Sequence, residues 1–142
     1  MSAPTGLENL ARDMGAQSYW LRRLIAVLLD WGICLFALAL TGIEPFGFKL
    51  FSATVLAGFL LYAYTVIAEY FTGQTIGKIV MGLRVVGVGT KVDVSRLLMR
   101  EASKLNPVLM LIDAVAGVLL ERSGRRRYLE VLSDTTQLVE RR

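Results

Sequence analysis

The sequence predicts an all-α membrane protein: two transmembrane helices as an antiparallel hairpin, a third short apolar helix, and a small cytoplasmic β-hairpin or strand module. Three observations carry that prediction. Of the 142 residues 54% are hydrophobic, and the mean hydropathy is +0.52, values that fit a small multi-pass chain better than a soluble domain. Two apolar stretches, residues 20–41 and 50–71, are each long enough to cross a ~30 Å hydrocarbon core at ~1.5 Å per residue. Of the sixteen Lys and Arg, with a net charge of +4, all but Arg22 and Arg23 at the entry of the first stretch lie outside both, as charges that orient a chain in a membrane do. No aromatic-interleaved basic groove accompanies them, so nucleic acid is not an expected partner.

Residues 1–142 read as one domain. Its first part, Met1 to Tyr19, is polar and contains Glu8, Arg12 and Asp13; it lacks the basic-then-apolar order of a cleaved signal peptide, so the first apolar segment is expected to remain as an anchor. That segment runs over 20–41, with Tyr19 and Trp20 at its entry, where amphipathic rings favour the headgroup layer. Gly42 to Lys49, with Pro45 and two glycines, forms a short turn between antiparallel helices. The second segment, 50–71, is uncharged until Glu69.

Residues 72–95 form a cytoplasmic turn and β-hairpin. Ile79 to Leu83 suggests a short amphipathic helical turn, and Leu83 to Val88 turns at Gly89-Thr90 into Lys91 to Val94, a strand-turn-strand pattern. Asp93 or Ser95 can cap a helix beginning near Arg96, and 96–120 carries the third apolar segment. Leu105 to Leu120 holds Asn106, Pro107 and Asp113 within sixteen residues, fewer than the ~20 of a comfortable span. Basic residues flank it on both sides, which favours a re-entrant or inner-face helix with both termini cytoplasmic. A marginal third span is the alternative, since neighbours can complete a proline-containing helix. The basic tail, 121–142, includes a short helix at Tyr128 to Leu132 and a strand at Thr135 to Val139 that is expected to pair with Leu83 to Val88.

Residue inventory narrows the chemistry. The chain has no histidine and a single cysteine, Cys34, which excludes His/Cys zinc sites, Ser-His-Asp and Cys-His catalysis and an internal disulfide. No enzyme activity, metal or cofactor is expected. Gly73 to Lys78 differs from a phosphate-binding loop by one residue of spacing and by Ile79 at the magnesium position, so nucleotide binding is not expected either.

Asp30 is the informative residue. It is the one charge in the run Leu24 to Leu40, and a charge near the bilayer centre costs at least ~2.5–3.5 kcal/mol, so it must face a partner, a cavity or a proton pathway. Arg23, Ala26 and Asp30 share one helical face. Arg23 and Asp30 lie ~10 Å apart along the axis, so a third group is implied, with Arg100, Glu101, Lys104, Asp113 and Glu130 as candidates. Lys78, Arg125, Arg126 and Arg127 read as lipid-facing basic residues near anionic headgroups.

The Arg23-x-x-Ala26-x-x-x-Asp30 face, Gly73-Gln74-Thr75-Ile76-Gly77-Lys78 followed by Gly82-Leu83-Arg84-Val85-Val86, and Arg100 resemble the RDD family of small membrane proteins. The resemblance covers roughly Tyr19 to Val139 and assigns the family's arginine to Arg23 and its first aspartate to Asp30. Glu130 stands in for the second aspartate, one methylene longer, with Asp134 as the competing position. Members are described as transporters, some resembling cation/proton antiporters, and others as partners within larger membrane complexes. Two functions follow as expectations: a transporter or cation/proton antiporter component using an intramembrane Arg-Asp network, or a non-transporting adaptor or assembly subunit in which that network is structural. The partners implied are membrane lipids and a second copy or a larger complex in the cell membrane. Small residues Ala37, Ala39, Ala53, Ala57 and Gly58 could serve close helix contacts.

Overall fold

The computed structural model describes residues 6–42, 50–87, 89, 92–120 and 125–139. Two helices within it are long and apolar enough to cross a membrane, Met14–Leu40 and Val55–Thr72. The first belongs to α2 (Met14–Leu40), preceded by α1 (Gly6–Arg12); the second is most of α3 (Leu50–Thr72). The Asp13 carboxylate caps α2 by accepting from Gly15 N at 2.8 Å, so the helix begins about two turns before the apolar run. Those extra turns bury Ala16 and Tyr19 against the rest of the protein. The turn expected over 42–49 lies outside the described residues except for Gly42.

Gly73 closes α3 with φ +74°, donating its amide to the Glu69 carbonyl at 2.9 Å. Such a left-handed residue costs glycine little and lets the chain leave the helix at once. α4 (Ile76–Met81) follows, capped by Thr75 and ended by left-handed Gly82. β1 (Leu83–Gly87) pairs antiparallel with β2 (Thr135–Val139), from Leu83↔Val139 to Gly87↔Thr135. That pairing matches the expectation for the C-terminal strand.

Among the described residues the local hairpin expected between residues 83–88 and 91–94 is not seen. Val94 is already helical, because the Asp93 carboxylate accepts from Val94 N at 2.8 Å and starts α5 (Val94–Glu101). The partner edge of β1 is supplied by a strand about fifty residues later. Nor is 96–120 one helix. α5 runs into a 3-10 turn (Ala102–Leu105), and α6 (Pro107–Leu120) leaves it at a bend of 116°. Proline disfavours helical geometry in the residue before it, and Asn106 is extended with φ −145°. α7 (Tyr128–Leu132) then leads into β2.

Glycines set how closely the pieces approach. A Cβ on Gly58 of α3 would strike the Leu105 carbonyl, and one on Gly117 of α6 would strike the backbone of Arg126 and Arg127. Ala57 and Gly58, expected to serve contacts between copies, are buried within the chain; Ala37 and Ala39 remain exposed on α2, and the Ala53 side chain lies outside the described residues.

Candidate functional site

Among the described residues ten charged side chains are buried: Arg23, Lys78, Arg100, Lys104 and Arg127 against Asp30, Glu69, Glu101, Asp113 and Glu130. Isolated, any of these would carry a desolvation cost of several kcal/mol. All but Asp30 are instead gathered from α2, α3, α4, α5, the 3-10 turn, α6 and α7 through ion pairs, so that nearly every element contributes to one ionic core.

Glu130 is its centre. α7 is a single turn whose N-terminal amide, Arg127 N, donates to Glu130 Oε2 at 3.1 Å. The same carboxylate receives Arg23 through two bonds, Nη2 to Oε1 at 2.5 Å and Nη1 to Oε2 at 3.0 Å, the fork geometry in which arginine binds carboxylates most firmly. Arg100 Nη2 reaches Oε1 at 3.0 Å, Gln137 Nε2 donates to it at 3.3 Å, and Arg127 Nε lies 3.5 Å away. Arg23 is further held by the Tyr19 hydroxyl and the Arg125 carbonyl, with the Trp20 ring 4.8 Å from its guanidinium carbon. Burial alone would push the Glu130 carboxyl up, but Arg23, Arg100 and Arg127 outweigh it and hold it well below the usual range. Burial likewise opposes the charge on Arg127, and Glu130, Glu101 and Asp113 overcome it and raise its affinity for a proton.

A second knot joins Arg100 Nε to Glu101 at 3.1 Å, Lys104 to Glu101 at 2.5 Å and Arg127 Nη2 to Glu101 at 3.4 Å. Asp113 is reached by Arg127 Nη1 at 3.5 Å, by the Ser103 hydroxyl at 2.9 Å and by Leu129 N at 2.8 Å. On the other side, Lys78 donates to Glu69, whose second oxygen lies 3.6 Å from Arg100. Burial lowers Lys78 to about 8 despite Glu69.

Asp30 is placed apart from Arg23, and no single group bridges them. Its Oδ2 accepts from the Thr75 hydroxyl at 2.6 Å and its Oδ1 from Gly77 N at 2.9 Å, with the Tyr64 hydroxyl at 3.4 Å. Tyr64 in turn accepts from Ile76 N at 2.9 Å. The carboxylate thus staples the first turn of α4 to α2, where free amides favour negative charge. Gly77 packs directly on the carbonyl of Ala26, one turn before Asp30, where a Cβ would strike it.

Of the residues expected to form a polar network, Arg23, Arg100 and Glu130 meet directly, and Asp113 joins them through Arg127. Asp30 faces α4 instead. Asp134 is exposed and left-handed, with φ 49°, away from the carboxylate position that Glu130 fills. Two residues expected to face lipid are buried: Lys78 and Arg127 are 2% and 5% exposed, Lys78 paired with Glu69 and Arg127 with Glu101, Asp113 and Glu130. Arg125 is exposed and pairs with Asp13 at 2.7 Å, and Arg126 is half-buried. Sequence reasoning missed Glu69 as a member. The signal was present, since Glu69 is as isolated in its apolar segment as Asp30 is in its own. Among the described residues no group of three His, Cys, Asp or Glu side chains is arranged to hold a metal ion.

The ionic core makes acid stability predictable. An ordinary glutamate in the unfolded chain takes up its proton near pH 4.5, whereas Glu130 in the folded chain does so lower. Between those values only the unfolded state binds the proton, so stability falls as pH falls. Thermal unfolding of the purified protein is expected to be nearly flat from about pH 7 to 5 and to drop steeply below about 4.5.

No curated protein and no solved structure matches the chain. A family model does match, that of the RDD family, over residues 18–130. This covers most of the chain, from the turn before Arg23 to Glu130 itself, and together with two apolar helices of spanning length it identifies an integral membrane protein of the RDD family.

Proposed function

We propose that this protein is a non-enzymatic, non-transporting adaptor or assembly subunit of the cell membrane, in which the Arg-Asp network is structural. One observation carries the reading: each buried carboxylate is engaged by cations or by backbone and hydroxyl donors, and none of them lines the large cavity between α2 and α6. A cation/proton carrier needs an acidic group that exchanges its partner with an aqueous path. Here Asp30 holds the start of α4, and Glu130 neutralises arginines from α2 and α5. What the network builds is a rigid polar module locked onto two spans.

The topology proposed has α2 and α3 as an antiparallel hairpin with both termini cytoplasmic. β1 and β2 share a sheet, which requires residues 83–87 and 135–139 to lie on one side of the membrane. At about 1.5 Å per residue α6 is also shorter than the hydrocarbon core, in keeping with a re-entrant or inner-face position. The exposed small residues Ala37 and Ala39 suit contact with a second copy or another membrane subunit.

Proteoliposomes containing the purified protein test the reading. Cation-driven proton flux is expected to match that of empty liposomes, with Asp30→Asn indistinguishable from the parent. Flux above background that Asp30→Asn abolishes would overturn the structural assignment and reinstate a transporter.

A further inference from the structure

The turn between α5 and α6 lies deep along both spans. A Cβ on Gly58 would strike the Leu105 carbonyl, so the turn rests on α3 at Gly58, ~18 Å along the axis from Tyr70. On the other side Pro107 shares a cavity wall with Leu24 and Val27 of α2, up to ~10 Å past Trp20. With Trp20 and Tyr70 in the headgroup layer that such rings favour, the break at Asn106 is ~10–18 Å inside a hydrocarbon core ~30 Å thick. That is close to its middle.

Asn106 is exposed there and extended, with φ −145°. Most of its polar groups are used locally: its backbone N–H donates to the Ser103 carbonyl at 3.4 Å, its carbonyl accepts from Met110 N at 3.0 Å, and its Oδ1 accepts from Val108 N at 2.8 Å. What is left is one lone pair of Oδ1 and the two N–H groups of the side-chain amide, which meet no acceptor among the described residues. Hydrocarbon offers none, and irregular backbone at such depth is tolerated only where protein or water covers it. From this end of α6 a row of apolar side chains, Val108, Ile112, Val115 and Leu119, each at least half exposed, runs along the helix. Their spacing alternates four and three, as in a helix–helix seam.

We propose that α6 is the contact between two copies of this chain, related by a two-fold axis along the membrane normal and joined at Asn106, whose amide N–H donates to Oδ1 of the partner's Asn106. An asparagine is self-complementary, since it carries both the donor that needs an acceptor and the lone pair that can serve as one. The axis brings identical residues to one depth, so a second copy supplies the acceptor wherever the turn lies; an unrelated helix would have to carry a polar group at that one level. Hydrogen bonds and close packing, rather than apolar burial, are what hold helices together in lipid. The contact lies outside the ionic core and does not depend on whether the network transports. It leaves the α2 face at Ala37 and Ala39 to another subunit.

Energy transfer between donor- and acceptor-labelled full chains in liposomes, followed as lipid dilutes the protein, tests it. The unaltered chain is expected to stay associated on dilution, and Asn106→Ser to need about tenfold more protein per lipid for the same transfer. Serine caps a helix about as well as asparagine but lacks the amide, so a residue that only capped α6 would leave association unmoved. Oxidation of Ile112→Cys is expected to give covalent dimers. Oxidation of the unaltered chain, whose Cys34 is buried, or of Phe59→Cys on the exposed face of α3 is expected to give none. Transfer in the unaltered chain no greater than chance proximity would overturn the proposal, whatever the folding of the variants. So would undiminished association of Asn106→Ser, or dimers from Phe59→Cys and none from Ile112→Cys.

Discussion

Replacing Glu130 with glutamine is expected to destabilise the protein by about 3–5 kcal/mol, the range for removing one partner of a buried ion pair. Glutamine keeps the shape and one acceptor oxygen but presents an amide N–H where a guanidinium already donates. Arg100 and Arg127 would retain Glu101, at 3.1 and 3.4 Å. Arg23 would not, because among the described residues Glu130 is its one carboxylate. The cost therefore falls mainly on Arg23, left charged and buried with only the Tyr19 hydroxyl and the Arg125 carbonyl to receive it. Two further variants check this. Arg23→Met in the Glu130→Gln background should recover part of the loss, since a buried pair removed whole is far less costly than a pair broken. Glu130→Asp keeps the charge but draws it back by one methylene, and is expected to cost less than Glu130→Gln. Unfolding of each variant in detergent micelles, followed by near-UV circular dichroism, gives the four stabilities of the cycle. Additive losses for Arg23→Met and Glu130→Gln would show that the two side chains are not coupled.

How much of this was legible in the sequence depends on which force decided each position. Asp30 and Glu130 stood out because charge within or beside an apolar segment has a large cost, and a large cost must be met somewhere. The location of the partner was a different matter. Helical periodicity places Arg23, Ala26 and Asp30 on one face but says nothing about what that face meets, and in the folded chain Arg23 meets α7 while Asp30 meets α4. Lys78 was misread as a surface cation because a lysine beside hydrophobic residues usually snorkels outward. The deciding residue, Glu69, lies across the α3–α4 turn, beyond any helical repeat. The break at Pro107 could be expected from local sterics, but its 116° angle follows from packing that no local pattern encodes. Likewise Asp93 capped a helix where alternating residues suggested a strand, and the sheet found its second strand at the far end of the chain.

Gly77→Ala is expected to cost at least about 2 kcal/mol, in the upper part of the range for overpacking, although alanine is the better helix former by ~1 kcal/mol. Backbone conformation is not the reason, because no left-handed angle is involved there. The added methyl would strike the Ala26 carbonyl of α2 and stand 3.0 Å from Asp30 Oδ1. Neither neighbour is a flexible side-chain end: one is helix backbone, and the other is a carboxylate fixed by Thr75 and by the Gly77 amide itself. Relief requires α4 to move away from α2, which lengthens both hydrogen bonds to Asp30 and returns a buried carboxylate toward an unpaired state. Gly32→Ala supplies the contrast within α2, since nothing lies within 4 Å of a Cβ added there. It is expected to be neutral or stabilising by up to ~1 kcal/mol. Thermal unfolding of the two variants in the same detergent separates propensity from packing. If Gly77→Ala matched Gly32→Ala, the close approach of α4 to α2, and with it the structural role of Asp30, would be wrong. If Gly32→Ala instead dissociated an oligomer, α2 would be shown to pack against a second copy through its exposed face, along which Ala39 lies two turns further on.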